Sequence, residues 1–294
     1  MEVPQGFRDM PRWWRDGTAW LDALPGLVAE WCARRRLTVT GEPMHGSHAL
    51  VVPVARDGEP LVLRLTPPGP EVVRQVAALR FWDGRGTVRL VAADAGAGVL
   101  LLERLGASLA AVPSLEAVAV LGRMMRRLAV RPPPEDVPST DEIVARRLAT
   151  IPHEWEQCGR PFDARLLDRS MAAGARLATA AGSSAVDGDL HSGQVLRGDR
   201  EPWLTVDPVL LRGDLAYDLA RVLWTRLDEM RDDAAIVRHF HTAVRAAGID
   251  PGHGTDWVVF RAVDYWLWGL AAGLTEDPER CRRLLRAVSG PGTP

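Results

Sequence analysis

The stretch Val186-Asp187-Gly188-Asp189-Leu190-His191-Ser192-Gly193-Gln194-Val195-Leu196 interrupts a long helical pattern. A short polar turn separates it from Leu204-Thr205-Val206-Asp207-Pro208. Gly213-Asp214-Leu215-Ala216-Tyr217-Asp218-Leu219-Ala220 then opens the next helix. Acidic residues in a glycine-bearing loop, followed by an aspartate with apolar flanks, suit a magnesium and phosphate site, because Mg²⁺ is commonly held by one or two carboxylates plus phosphate oxygens. The same residues also suit turns and helix N-caps, where an aspartate accepts a backbone N–H. Spacing alone leaves both readings open, although Asp214 and Asp199 read as caps and turns.

Around this interruption, apolar residues recur at helical spacing over 115–128, 140–150, 164–181, 216–228, 234–247, 255–272 and 278–288. The proline run Pro132-Pro133-Pro134 marks a loop between two of these helices. Upstream the pattern changes. Trp20, Leu24, Leu27, Val28 and Trp31 form one helical stripe containing Pro25, which predicts a kink or a first turn. Short Val- and Leu-rich runs at 37–40, 49–55, 61–66, 87–92 and 98–103 predict strands, with a helix over 71–82 among them. Asp57-Gly58 is a strong hairpin signal between two of the strands. The expectation is an α+β chain of two lobes, a small β-rich one over 1–105 and a larger helical one over 106–294. They join near 103–106, with a ligand cleft between them.

Hydrophobic residues make up 47% of the 294 and charged residues 25%, which excludes a disordered chain. A net charge of −2 lacks the basic excess of a nucleic-acid binder. No apolar run approaches the ~20 residues of a membrane span, and the first fifteen residues lack the apolar core of a secretory leader. The three cysteines, Cys32, Cys158 and Cys281, are odd in number and far apart, which fits a reducing cytoplasm. All 36 basic residues are arginine, and the chain has neither lysine nor asparagine. Any chemistry that needs an ammonium or an asparagine amide must be carried by another residue type.

Asp187 to Gln194, Val206 to Pro208 and Gly213 to Ala220 fall in the order of the catalytic loop, metal aspartate and following helix of the aminoglycoside phosphotransferase family. The chain resembles that family, which is similar in fold to the protein kinases, and within it the streptomycin and hydroxyurea phosphotransferase branch. The likeness extends to Gly41-Glu42-Pro43-Met44-His45-Gly46, to the run from Leu79 to Gly86, to Leu101-Leu102-Glu103-Arg104-Leu105 and to the run from Val263 to Gly269. It implies a two-lobed kinase-like fold and transfer of the γ-phosphoryl of ATP, with Mg²⁺, to a hydroxyl of a small molecule. Catalysis there is mostly positioning and charge neutralisation. Asp189 takes the catalytic position. Asp207 and Gln194 take the metal positions, with Asp187 an additional metal candidate. Arg64 stands where the family has a phosphate-binding lysine, and Gln75 where it has the glutamate that pairs with that lysine. The backbone from Glu103 to Leu105 receives the adenine. Family acceptors include cationic aminocyclitols with guanidino groups, for which Asp264, Asp228 and Glu229 are the candidate anchors. Asp264 leads because tryptophans follow it, and a guanidinium can stack on an aromatic face while pairing with a carboxylate.

Four positions depart from the family pattern: Asp187 replaces histidine, Gln194 asparagine, Arg64 lysine and Gln75 glutamate. Both residue sets sum to −2 if every carboxylate is ionised, but here the negative charge has moved from the small lobe to the catalytic loop. These departures leave two readings: an active phosphotransferase, or a catalytically impaired pseudokinase that binds nucleotide or a small ligand without turnover.

Overall fold

The structure is a computed structural model that describes residues 1–13, 17–180 and 182–289. The chain divides into two compact units, Met1–Gly106 and Ala107–Pro294.

The first unit opens with α1 (Gln5–Arg8) and α2 (Thr18–Arg35). Pro25 lies inside α2 without ending it. The missing N–H costs one helical bond, and the burial of Leu21, Leu24, Val28 and Trp31 on one side of the helix outweighs that loss. Six strands follow: β1 (Thr38–Val39), β2 (Met44–His45), β3 (Leu50–Arg56), β4 (Glu59–Leu65), β5 (Leu90–Asp94) and β6 (Val99–Glu103). Helix α3 (Pro70–Trp82) lies between β4 and β5. The sheet order is β1-β3-β4-β6-β5, with β2 also on β3, and every pairing is antiparallel. Asp57 and Gly58 both adopt positive φ, at 50° and 84°, as a two-residue turn matched to the strand twist requires.

Alternation along β4 decides what each of its faces does. Leu61, Leu63 and Leu65 are fully buried in a core shared with Leu50, Val52, Val54, Leu101, Phe7 and the α2 stripe. Each such leucine contributes about 2 kcal/mol of transfer free energy. Val62 and Arg64 therefore project to the opposite face, where Arg64 meets Gln75 of α3. Gly98, at φ 72°, lets β6 return close to β4, since a Cβ there would lie 1.9 Å from the Thr66 carbonyl oxygen.

The second unit contains α4 (Ser114–Leu128), α5 (Thr140–Gln157), α6 (Ala164–Leu177), β7 (Ser184–Asp187), β8 (Val195–Arg197), β9 (Trp203–Thr205), β10 (Leu210–Gly213), α7 (Leu219–Trp224), α8 (Asp233–Ala247), α9 (Pro251–Ala271) and α10 (Glu276–Ser289). Helix α4 packs on α8, and α9 on α6 and α10. The strands form two antiparallel ribbons, β7 with β10 and β8 with β9.

Several expected boundaries are corrected. Helix α5 continues past Pro152 to Gln157, because Ile151 and Trp155 are buried and the Trp155 indole donates to the Phe162 carbonyl at 3.0 Å. Its start is fixed by a capping box, Ser139 with Glu142. Helix α6 stops at Leu177, short of residue 181, which lies outside the described residues. The expected helix over 216–228 is three pieces: a 3-10 turn at Leu215–Asp218, the six residues of α7, and a second 3-10 turn at Leu227–Glu229. Strands β2 and β10 were absent from the sequence reading, and β5 starts at Leu90 rather than at residue 87.

Candidate active site

The β7–β10 ribbon ends where Asp187 stands opposite Leu210, and the chain leaves it through Gly188. Asp187 is 2% exposed. Its Oδ1 accepts the N–H of Asp189 at 3.3 Å and of Val209 at 3.0 Å, and its Oδ2 accepts the Thr205 hydroxyl at 3.4 Å. Burial pushes its carboxyl up to about 7. The backbone donors pull the other way, and the charges of Asp189 and Asp207 raise it further. In place, Asp187 fastens the loop to the strand after Asp207.

Asp189 projects from that loop with its side chain 36% exposed. Gln194 Nε2 donates to its Oδ2 at 3.0 Å, and Arg221 Nε lies 2.8 Å from its Oδ1. The arginine contact is an ion pair rather than an aligned hydrogen bond. Gln194 closes a 3-10 turn, Ser192–Gln194, whose cap is the His191 ring, with Nδ1 accepting the Gly193 N–H at 3.1 Å. Burial, then the Arg221 charge, lowers the His191 pKa, while Asp189 opposes them. The Gln194 carbonyl accepts the Val206 N–H at 2.9 Å, which ties the loop to the residue before Asp207.

Two acids of the following segment, one half-buried and one buried, flank this arrangement. Asp214 caps its turn by accepting the Ala216 N–H at 2.8 Å, and it also accepts the Trp257 indole N–H at 3.0 Å, in keeping with the capping role read from sequence. Asp218 is 1% exposed, and its Oδ1 is buried without a hydrogen-bond partner. Burial, and then the charge of Asp187, raises its pKa well above the ordinary value, and Arg261 opposes the shift. Sequence alone gives Asp218 no role and does not single out Arg221. The signal for Arg221 was a lone charge inside Leu-Ala-Arg-Val-Leu-Trp, an otherwise apolar helix.

In the first unit, an Arg64 guanidinium nitrogen donates to Gln75 Oε1, although Gln75 is 7% exposed. Arginine and glutamine thus form a hydrogen-bonded pair without the second charge that a glutamate would bring. Glu103 closes β6 and accepts the Arg89 N–H at 2.7 Å through Oε1, while Leu105 lies half-buried beyond the strand end.

The three acids expected at the acceptor each face arginine. Asp264 is 9% exposed on α9. Its Oδ1 accepts from Arg147 Nε at 2.6 Å and its Oδ2 from Arg261 at 3.4 Å. Arg147 also grips Glu154 through two nitrogens, at 2.7 and 2.6 Å. Asp228 accepts from Arg280 at 2.7 Å, and Glu229 takes both prongs of Arg226 at 2.6 and 2.7 Å. The tryptophans after Asp264 serve separate purposes. Trp266 packs against Phe162, while Trp268, 52% exposed, stacks on Tyr265, which in turn stacks on Trp224.

Among the described residues, no cluster of three or more His, Cys, Asp or Glu is placed to hold a metal unaided. Mg²⁺ does not require one, since phosphate oxygens and water complete its shell. One atom fits a cation here. Gln194 Oε1 is buried and has no hydrogen-bond partner, because its amide is turned so that Nε2 serves Asp189. A buried acceptor left unmatched is costly unless something meets it.

The Asp187 carboxyl has a consequence for stability. Its folded pKa, about 7, lies above the ordinary 3.8. Its contribution is therefore full below about pH 4 and is lost as pH rises through 7, by a total of order 4 kcal/mol. Asp187→Asn keeps an oxygen for the two backbone donors and removes the titration. Relative to the parent, the variant is expected to gain thermal stability from pH 5 to about pH 7 and then to hold that gain up to pH 8.5, read from melting curves without added metal. An offset that stays constant across that range would show that the carboxyl does not titrate as described.

Solved structures with the same architecture include a thermostable mutant of aminoglycoside phosphotransferase APH(4)-Ia in ternary complex with ADP and hygromycin B. It has a TM-score of 0.62 at 15% identity, over 91% of this chain and 99% of that one. Choline kinase LicA from Streptococcus pneumoniae matches with a TM-score of 0.60 at 10% identity, over 90% of this chain and 99% of that one. At these identities the likeness establishes the fold, which is kinase-like: a small antiparallel sheet unit and a mostly helical remainder. In sequence, the chain is 36% identical to streptomycin 6-kinase of Streptomyces glaucescens over 94% of this chain and 92% of the relative. It is 38% identical to hydroxyurea phosphotransferase of Kitasatospora aureofaciens over 90% and 78% respectively. The fold and these relatives define a phosphotransferase of the small-molecule kinase class. Residues 34–273 match the aminoglycoside/hydroxyurea antibiotic resistance kinases, and the chain belongs to that family.

Proposed function

We propose that this protein transfers the γ-phosphoryl group of ATP to a hydroxyl of a small molecule, with Mg²⁺ as the metal. The observation that carries the reading is the pairing on one short loop of an oriented, part-exposed carboxylate, Asp189, with a buried and unmatched amide oxygen, Gln194 Oε1. Asp207 and Gln194 Oε1 would hold the metal, which when bound neutralises phosphate charge. The extra methylene of glutamine, compared with asparagine, allows one side chain to offer its oxygen to the cation and its N–H to Asp189. Asp187, already engaged by three donors, is better suited to fastening the loop than to ligating.

Asp189 would orient the acceptor hydroxyl and take its proton as the oxygen–phosphorus bond forms. In the first unit, Arg64, steadied by Gln75, would bind the α- and β-phosphates, and the backbone from Glu103 to Leu105 the adenine. A guanidinium can replace a lysine ammonium there because it keeps the charge and adds a planar fork. The second unit supplies the catalytic loop and the acceptor side. An uncharged acceptor would leave the ion pairs of Asp264, Asp228 and Glu229 intact, whereas a guanidino acceptor would take the place of a protein guanidinium. Streptomycin and hydroxyurea, from the relatives' names, are the first acceptors to try. A cytoplasmic setting suits both the demand for ATP and the three free cysteines.

At MgATP about a hundredfold over Kd, the melting midpoint is expected to rise by about 5 °C. ADP release should then depend on the acceptor. A protein that neither shifts with MgATP nor releases ADP with any candidate acceptor would overturn the proposal.

A further inference from the structure

Asp189 is held at both oxygens, but only one of its partners belongs to its own loop. Gln194 comes from five residues on and serves Oδ2. Arg221 comes from α7, a separate element, and serves Oδ1. The loop backbone is fixed independently, since Asp187 accepts the Asp189 N–H and the Gln194 carbonyl accepts the Val206 N–H. What remains to be set is the direction of the Asp189 carboxylate, and these two side-chain contacts set it.

The arginine has a rigid seat. Helix α7 is six residues long, and the other five, Leu219, Ala220, Val222, Leu223 and Trp224, are each no more than 2% exposed. Trp224 stacks on Tyr265 with ring centroids 4.5 Å apart and planes 2° from parallel. The Arg221 carbonyl accepts the Thr225 hydroxyl at 3.0 Å. The Arg221 side chain is only 23% exposed, and drawing a guanidinium out of water for one carboxylate is a poor way to gain stability. Its value lies in geometry.

Building on the phosphotransferase reading above, we propose that Arg221 is a positioning residue, whose guanidinium fixes the Asp189 carboxylate so that the acceptor hydroxyl meets it in line with the phosphoryl group. Arg221 acts through Asp189, and the acceptor and nucleotide bind without it.

The test is steady-state turnover with MgATP and hydroxyurea or streptomycin, for the parent, Arg221→Ala, Arg221→Lys, Asp189→Asn and the Arg221→Ala/Asp189→Asn double variant. Arg221→Ala is expected to lower kcat about 10²-fold, the cost of a small misplacement at a reacting centre. KM for both substrates should stay within about threefold. Guanidinium chloride at tens of millimolar should restore roughly tenfold of the loss, and ammonium chloride should not, because only the planar cation reproduces the contact. Arg221→Lys, which keeps the charge and a closely similar volume, should fold like the parent and fall between it and Arg221→Ala. In the Asp189→Asn background, Arg221→Ala should have no further effect.

Retention of kcat within about threefold in Arg221→Ala would overturn the inference. So would a loss carried by KM, a loss that guanidinium does not repair in a folded variant, or losses that multiply in the double variant. Any of these with an active parent leaves the phosphotransferase reading standing. A parent that turns over neither acceptor overturns that reading, and this one with it.

Discussion

Asp189→Asn is expected to lower phosphoryl transfer by about 10³-fold while MgATP still raises the melting midpoint. Among the acids in and around the loop, Asp189 alone combines exposure with orientation: Asp187 is buried and engaged with backbone N–H groups, Asp218 is buried, and Asp189 keeps a 36% exposed side chain steered by Gln194 and Arg221. An asparagine keeps the shape and forfeits the proton acceptor, a change worth 10²–10⁴-fold for a group of this kind. The nucleotide-binding roles proposed for Arg64, Gln75 and Asp207 are untouched. Hence kcat should fall with little change in KM for ATP, the signature of an interaction made chiefly in the transition state. A variant that retains more than a tenth of parent turnover would remove Asp189 from the catalytic position.

Arg147→Ala is expected to cost about 3 kcal/mol of stability and to lower the melting midpoint by roughly 6–10 °C. Arg147 joins α5 to α9 by serving two acids at once, Glu154 on its own helix and the nearly buried Asp264 on α9. Removal leaves Asp264 with the longer contact to Arg261 alone, and an underpaired buried charge is the costly case. Hydrogen bonding to Arg147, against the opposing effect of burial, holds the Glu154 carboxyl below its ordinary value of 4.5. That share of the stability is present above about pH 4.5 and is lost as pH falls below it. The gap between parent and variant should therefore narrow in acid. Urea midpoints at pH 7 and pH 4 measure both effects, and a loss below about 1 kcal/mol at pH 7 would show that the network is only a surface contact. Adding Asp264→Asn should recover part of the loss, because it removes the acid left without its main partner.

The reading of the sequence was strongest where a local rule fixes a local shape. Asp57-Gly58 specifies its turn through two positive φ angles, and the alternation along Leu61 to Leu65 assigns the faces of β4, so that Arg64 reaches Gln75. Asp187, Asp189, Gln194 and Asp207 could be named only through the family resemblance, since their spacing alone also suits turns and caps. Their division of labour was less legible, since it depends on burial. Asp187, which looked like a spare metal ligand, is turned inward onto two backbone N–H groups and a hydroxyl. Partners brought together over long separations were invisible. The Arg147–Asp264 pair spans 117 residues, and nothing near Asp264 in sequence points to Arg147. Arg221 lies close in sequence but speaks only through the fold, because its role comes from α7 being seated beside the loop. The helix expected over 140–150 runs on to Gln157 for a related reason: the burial of Trp155 and Ile151 outweighs the proline at 152.

The most direct trial of the account is a ³¹P NMR time course of the parent protein with MgATP and, in separate tubes, streptomycin and hydroxyurea. The account predicts a new phosphorus resonance from the modified acceptor in at least one tube, growing in step with ADP and absent when Asp189→Asn replaces the parent. Nucleotide that binds yet yields neither ADP nor a phosphorylated acceptor, or an Asp189→Asn protein that produces the same resonance at the same rate, would contradict it.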